Sequence, residues 1–213
     1  MKVIPVLNCR DLECVREKIE VAKTFLPEGS LLHLDVTDGL FATHKTWADP
    51  MEWTALRSPF ALEVHLMVEQ PEAYADNWLA AGAKRLIVHI ETIGAQSLHE
   101  ILDTAKRYHA EIMLSSEPES ALEEMNPYLK HSRLFQVLAV QPGPSGQPFL
   151  SSVLEKIRFL REEHPDATIE VDGGINLETA KLVKEFGADT IVSSSYIFNS
   201  PDPKRAYQEL SAV

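Results

Sequence analysis

The run His33-Leu34-Asp35-Val36-Thr37-Asp38-Gly39 sets an imidazole and a carboxylate two positions apart within an apolar, β-branched segment. Side chains alternate faces along a strand, so His33 and Asp35 project to one side and Leu34 and Val36 to the other. A second imidazole, His65, stands in Val64-His65-Leu66-Met67, and a second carboxylate, Asp172, precedes Gly173-Gly174. Two imidazoles and two carboxylates brought together would offer two nitrogen and two oxygen donors to a divalent transition metal. Each group also has a plainer reading. A lone strand histidine is more often a hydrogen-bonded structural residue. Asp38-Gly39 reads as a turn in which the aspartate bonds its own backbone, and Asp172-Gly173-Gly174 as a turn capping the next helix. His89 and Glu91 read as supporting groups rather than ligands. His44, His99, His109, His131 and His164 fall in loops or helices and are expected at the surface.

A second signal comes late in the chain. Gln141-Pro142-Gly143-Pro144-Ser145-Gly146-Gln147, Gly173-Gly174 and Ser193-Ser194-Ser195 are three runs of small residues, each following an apolar segment. Small residues let backbone N–H groups approach an anion closely, as a phosphate requires. Singly these are ordinary turns; three together favour a phosphate site.

These groups need a frame to position them. Short apolar runs at 3–7, 31–36, 61–66, 85–90, 111–114, 134–140, 168–171 and 190–193 read as strands. Between them lie segments of helical spacing: 11–25, one opening at Pro71, 98–109, a short one with Pro118 in its first turn, 149–163, 177–186 and 203–210. Asp11 is the expected N-cap of the first. The second unit has a longer loop before a short helix. Strands alternating with helices predict parallel strands joined by crossovers. Eight units leave about 27 residues each, compact for a TIM (β/α)8 barrel, which typically takes ~250. A doubly wound sheet is the competitor, but it carries a Gly-rich turn after its first strand, and Asn8-Cys9-Arg10-Asp11 is not one. The expected fold is therefore an α/β barrel in a single domain spanning 1–213. In such a barrel His33, Asp35, His65, Asp172 and the three small-residue loops all stand at the catalytic face, where strands end, with phosphate held near strands seven and eight.

Composition narrows the function. The chain has 20 Lys+Arg against 32 Asp+Glu, a formal net charge of −12. That balance argues against nucleic-acid binding, which neutralises phosphates with Lys and Arg. A small phosphorylated ligand remains compatible, because backbone N–H groups bind it locally. No stretch has the length of a membrane span, and the opening apolar run is too short for a signal peptide. Cys9 and Cys14 would close only a tiny loop, so both are expected as free thiols in a cytoplasmic protein.

At these residues the sequence resembles the ribulose-phosphate 3-epimerase family. The family's His-x-Asp-Val-Met-Asp-Gly run corresponds to His33 through Gly39, its Val-His-Leu-Met to Val64 through Met67, followed by Pro71-Glu72-Ala73-Tyr74. Its Pro-Gly-Phe-Gly-Gly-Gln loop corresponds to Pro142 through Gln147, and its Val-Asp-Gly-Gly-Ile to Val171 through Ile175. Its ending corresponds to Gly187-Ala188-Asp189, Ser194-Ser195 and Ile197-Phe198, so the likeness runs through nearly the whole chain. The resemblance implies one divalent ion, zinc, iron or manganese, held by His33, Asp35, His65 and Asp172. It implies Asp35 and Asp172 as paired acid and base, and His65, Gly143, Pro144, Ser145, Gly146, Gly173, Gly174, Ser194 and Ser195 as groups that face substrate or its phosphate. Five departures fall around the substrate: a family serine is Val6, two methionines are Thr37 and Leu138, Phe-Gly in the phosphate loop is Pro144-Ser145, and a late glycine is Ser194.

The implied reaction is metal-dependent 3-epimerisation of a ketopentose phosphate, D-ribulose 5-phosphate to D-xylulose 5-phosphate. Removing a proton beside a ketone develops an enolate, whose charge a chelating metal stabilises. Inversion then takes a base on one face and an acid on the other. The departures leave two other readings: an epimerase of another ketose phosphate such as a hexulose 6-phosphate, and a non-catalytic metal- and phosphate-binding barrel. A homo-oligomer is expected by analogy with the family.

Overall fold

The computed structural model describes residues 1–213. Its eight strands are β1 (Lys2–Leu7), β2 (Leu31–Thr37), β3 (Ala61–Met67), β4 (Arg85–His89), β5 (Glu111–Ser116), β6 (Leu134–Leu138), β7 (Thr168–Asp172) and β8 (Thr190–Ser193). They follow one another as a closed barrel in the order β1-β2-β3-β4-β5-β6-β7-β8. The helices between and after them are α1 (Leu12–Ala22), α2 (Pro50–Leu56), α3 (Pro71–Ala80), α4 (Ala95–Tyr108), α5 (Leu122–Met125), α6 (Leu154–Glu163), α7 (Leu177–Glu185), α8 (Ser195–Phe198) and α9 (Pro203–Ser211). This is the expected TIM barrel. No helix is long and apolar enough to cross a membrane.

By its own contacts the chain divides into two compact units. In the unit Val6–Ile112, β2 pairs in parallel with the end of β1 and with β3, and β3 with β4. Leu32, Leu34 and Val36 of β2 and Leu62, Val64 and Leu66 of β3 are buried. So are Val15 and Ile19 of α1, Trp78 and Leu79 of α3 and Ile101 of α4. At the alternate positions of the same strands His33, Asp35, Thr37, Glu63 and His65 are also buried, yet they are polar. Both faces of a parallel strand are covered, so it reads as a nearly continuous apolar run except where function requires otherwise. Capping fixes the helix starts. Asp11 accepts from the Cys14 N–H at 2.9 Å, as expected, and Asp49 accepts from Met51 and Glu52 ahead of α2, where Pro50 fills the first turn.

The unit of Met1–Pro5 with Met113–Val213 pairs β5 with β6, β6 with β7, β7 with β8, and β8 with the start of β1. Asn176 caps α7, accepting from Glu178 and Thr179 N–H groups, and Asp202 caps α9, which opens on Pro203. Phe135, Val137, Ile157, Leu160, Ile169, Val171, Val183 and Ile191 form its apolar interior.

Several expectations are corrected. Cys9 and Cys14 are not free thiols but a disulfide pair, with Cα atoms 5.7 Å apart. The chain turns sharply between them as Asp11 caps α1, which brings residues five apart in sequence within bridging distance. β4 ends at His89 and passes into a short 3-10 turn at Ile90–Thr92. β6 ends at Leu138 rather than at 140. Pro118 lies in a turn ahead of α5, which begins only at Leu122. α6 starts at Leu154 after a 3-10 turn, not at 149. A Cβ on Gly174 would lie 2.6 Å from the backbone of Phe149, so the chain ahead of α6 packs directly on this glycine. α8 was not anticipated, being only four residues long.

Candidate functional site

The register of β2, β3 and β4 arranges the polar side chains in rows. His33 is paired with Glu63 and Glu63 with Arg85, while Asp35 is paired with His65. His33, Asp35 and Thr37 share one face of β2, as Glu63, His65 and Met67 share one face of β3. His33, Glu63 and His65 are wholly buried, and Asp35 and Arg85 nearly so.

Such groups are tolerated only when paired. Asp35 Oδ1 lies 3.2 Å from His33 Nε2 and 3.4 Å from His65 Nδ1. Its Oδ2 accepts from Asn8 Nδ2 at 2.8 Å. Burial pushes the Asp35 carboxyl up, but the hydrogen bonds and charges of His33 and His65 overcome it and hold the group well below the usual carboxylate range. The other nitrogen of His33, Nδ1, lies 2.9 Å from Glu63 Oε1. Burial opposes charge on His33 as well, but the carboxylates of Asp35 and Glu63 prevail and raise its pKa well above that of a free imidazole. Arg85 completes the row, donating through Nη1 to Glu63 Oε2 at 2.9 Å and through Nε and Nη2 to Glu111 Oε2 at 3.1 and 2.8 Å.

His65 has a further neighbour. Its Nε2 lies 2.8 Å from His89 Nε2, with the two rings stacked at a centroid distance of 5.0 Å, and Glu91 approaches His89 Nδ1 at 3.3 Å. His89 and Glu91 thus support His65, as the sequence suggested. Phe41 covers His89 at 4.7 Å between centroids. Asp38 forms the expected turn, its Oδ1 accepting from Leu40 and Phe41 N–H groups, and its Oδ2 reaches the N–H of Glu69.

The expectation for His44 is corrected. It is half-buried rather than a surface residue, and both ring nitrogens are buried without a hydrogen-bond partner. Glu63, Arg85 and Asn8 were not anticipated. Glu63 was legible in principle, since an acid two residues before His65 on a strand must share its face.

In the other unit Asp172 closes β7 and is buried, between Leu138 of β6 and Val192 of β8. Its carbonyl accepts from the Ala139 N–H at 2.6 Å. Two residues earlier Glu170 accepts from Gln136, which accepts in turn from Ser115. The three small-residue loops leave the adjacent strands β6, β7 and β8. Gly143 is half-buried and Pro144, Ser145 and Gly146 are exposed, with Gly146 at φ 89°. Gln147 ties this loop, donating to the carbonyls of Gln141 and Pro144 at 2.8 and 3.1 Å. Gly173 and Gly174 have φ of 104° and 66°, and a Cβ on Gly173 would strike Val140 at 2.6 Å, so glycine is required there. Ser194 and Ser195 are half-buried at the start of α8.

Asp172 is buried in its own unit, and within the unit Val6–Ile112 His33, Asp35 and His65 are buried with ligand atoms close enough together to share a metal ion. The donor set fits one. Glu63 engages His33 Nδ1 and leaves Nε2 as the coordinating atom, the usual arrangement of a carboxylate behind a ligating histidine. Two imidazoles with carboxylates suit zinc, iron or manganese alike.

A parallel eight-stranded barrel with buried imidazoles and carboxylates along its strands has the make-up of a barrel enzyme. The chain belongs to the ribulose-phosphate 3 epimerase family, whose model matches residues 2–198. A ribulose-phosphate 3-epimerase from Chlamydia muridarum is 34% identical over 204 residues, covering 92% of this chain and 87% of the relative. One from Bacillus subtilis is 34% identical over 217 residues, covering 99% and 98%. A rice relative named as a cytoplasmic isoform is 33% identical over 176 residues, covering 81% and 77%. Among solved structures, KGPDC from Streptococcus mutans in complex with D-R5P superposes with a TM-score of 0.78 at 14% identity, covering 99% of this chain and 95% of that one. At that identity the likeness bears on the fold alone.

Proposed function

We propose that the whole chain, 1–213, is one metal-dependent epimerase domain that interconverts D-ribulose 5-phosphate and D-xylulose 5-phosphate. The observation that carries this reading is the Asp35 carboxylate, buried and held ionised between His33 and His65. A carboxylate held ionised is in the protonation state from which a general base must start. Family membership supports the substrate.

In this reading His33, Asp35, His65 and Asp172 hold one divalent ion, which when bound supplies Lewis-acid stabilisation of developing negative charge. Asp35 and Asp172 exchange a proton with carbon 3 from opposite faces, one as base and the other as acid, and reverse these roles in the reverse reaction. Asn8 holds Asp35 Oδ2 and so limits its rotation. Backbone groups of Gly143, Pro144, Ser145, Gly146, Gly173, Gly174, Ser194 and Ser195 surround the phosphate, with Pro144 contributing shape but no N–H. The setting is cytoplasmic, consistent with the name of the rice relative, and the protein acts as a homo-oligomer.

The test is exchange of the substrate's C3 proton with deuterated solvent, followed by NMR, with added Zn2+, Fe2+ or Mn2+. The wild type should exchange and epimerise D-ribulose 5-phosphate. Asp172→Asn should lose both; retained exchange would refute the role of Asp172. Turnover of only a hexulose 6-phosphate would move the substrate assignment, and turnover of no ketose phosphate would remove the enzyme reading.

A further inference from the structure

We propose that Thr37 and His44 form a polar contact for the hydroxyl groups of the sugar chain, and that they set the substrate specificity of this protein. The inference rests on the ketose-phosphate reading above. Thr37 ends β2 on the same face as His33 and Asp35, one pleat beyond Asp35. It is 3% exposed, and its Oγ1 is buried with no hydrogen-bond partner. Its neighbour in register on β3 is Met67, which offers only a weakly accepting sulfur. His44 lies on the segment that follows β2, next to Lys45, which bridges back to Asp38 at the end of that strand. Both of its ring nitrogens are likewise buried and unpartnered.

A buried hydroxyl or imidazole left without a partner is destabilising, and a folded chain ordinarily avoids it. The segment cannot relieve the cost by swinging away, because it is pinned on both sides of His44. Asp38 and Lys45 form a β-bridge. Thr46 Oγ1 donates to the Asp35 carbonyl at 2.7 Å and accepts from the Thr37 N–H at 3.0 Å. Trp47 N–H donates to the Cys9 carbonyl at 2.8 Å. A ligand that brings its own donors and acceptors would satisfy both groups, displacing any water held there. A threonine hydroxyl both donates and accepts, and burial favours a neutral His44 with one donor and one acceptor nitrogen. Their complement is a run of hydroxyl groups next to the carbon that Asp35 serves. A methionine, the residue that the family resemblance places at position 37, offers no donor and only a weakly accepting sulfur, so a threonine changes what this position can bind.

The experiment compares wild type, Thr37→Val, Thr37→Ser and His44→Phe on D-ribulose 5-phosphate and a hexulose 6-phosphate, by kinetics and by ligand-induced thermal shift. Thr37→Val keeps the shape and removes the hydroxyl. We expect its ligand-free melting temperature to hold or rise, because an unpaired group is lost. Its KM for the preferred sugar should rise about tenfold, as for one lost hydrogen bond in a buried site, while Thr37→Ser keeps wild-type KM. His44→Phe should lose affinity in the same direction. Thr37→Val with unchanged KM, or with a large drop in ligand-free melting temperature, would overturn the proposal. If the wild type turns over neither sugar, the epimerase reading fails separately. The contact is then judged by the thermal shifts, where equal shifts in wild type and Thr37→Val overturn it.

Discussion

Glu63 Oε1 lies 2.9 Å from His33 Nδ1, at the bottom of a row that continues through Glu63 Oε2 to Arg85. An ionised carboxylate only accepts, so this contact places a proton on Nδ1 and directs Nε2 towards Asp35. Glu63 thereby sets both the tautomer and the orientation of the imidazole that the proposed function makes a metal ligand. Glu63→Gln should weaken binding of Zn2+ or Mn2+ by roughly 10–100-fold, the usual effect of losing a carboxylate behind a ligating histidine. Competition with a chelating dye measures it. Unchanged affinity in a folded variant would show that the packing around His33 suffices to orient it.

Arg85 should matter to stability rather than to metal. It neutralises Glu63, which is wholly buried, whereas its other partner Glu111 reaches solvent. Arg85→Met leaves the Glu63 charge uncompensated, at a cost of about 3–5 kcal/mol. For a chain of this size that lowers the melting temperature by roughly 10 °C. The double variant Glu63→Gln/Arg85→Met should recover part of the loss. A single variant as stable as wild type would show that Glu63 does not depend on Arg85 for its burial.

The contrast between these two residues and their neighbours shows what the sequence makes visible. The barrel was legible because each strand is an apolar run and each helix has its own period and cap, as at Asp11. His33, Asp35, His65 and Asp172 were legible because polar groups on apolar strands are exceptions. Arg85 was not, since nothing local distinguishes a paired strand arginine from an exposed one; its burial depends on Glu63 opposite, which only the register reveals. Three residues were misread because contacts beyond their own segment decide their surroundings. His44 looked like a loop histidine, but the bonds of Thr46 and Trp47 draw its segment against the barrel. Cys9 and Cys14 looked unpaired because the turn that joins them is set by a helix cap.

Metal binding should release a proton. Without metal, both nitrogens of His33 face carboxylates, which raises its pKa well above 6.5. A group whose pKa is raised on folding stabilises the metal-free protein fully below its unfolded pKa, and that stabilisation is lost as pH rises through the folded value. The metal must displace the proton on Nε2, so its affinity should rise with pH over the same window. Asp35 does not blur this, because its depressed pKa confines its own effect to strongly acidic solution. Calorimetric titration in buffers of different ionisation enthalpy should show about one proton released per ion between pH 6 and 8. Affinity independent of pH would mean that His33 is already neutral before the metal arrives.

Reduction of the Cys9–Cys14 disulfide should soften the end of β1 without unfolding the chain. Cys9 is buried, its carbonyl accepts from Trp47, and its neighbour Asn8 holds Asp35. The cross-link closes a short loop, five residues apart in sequence, so its contribution to stability is modest, about 2 kcal/mol in the loop-entropy account. The Asp11 cap and the Trp47 bond do not depend on it and keep the turn in place. A reducing agent should therefore lower the melting temperature by roughly 5 °C, and Cys9→Ser should do the same and make the protein insensitive to the reducing agent. The activity of the reduced form reports on Asn8: if its bond to Asp35 needs the cross-link, kcat falls on reduction and returns on reoxidation. Two thiols titrating in the native, unreduced protein would show that the pair is open in solution, and the thermal effect of reduction would then vanish.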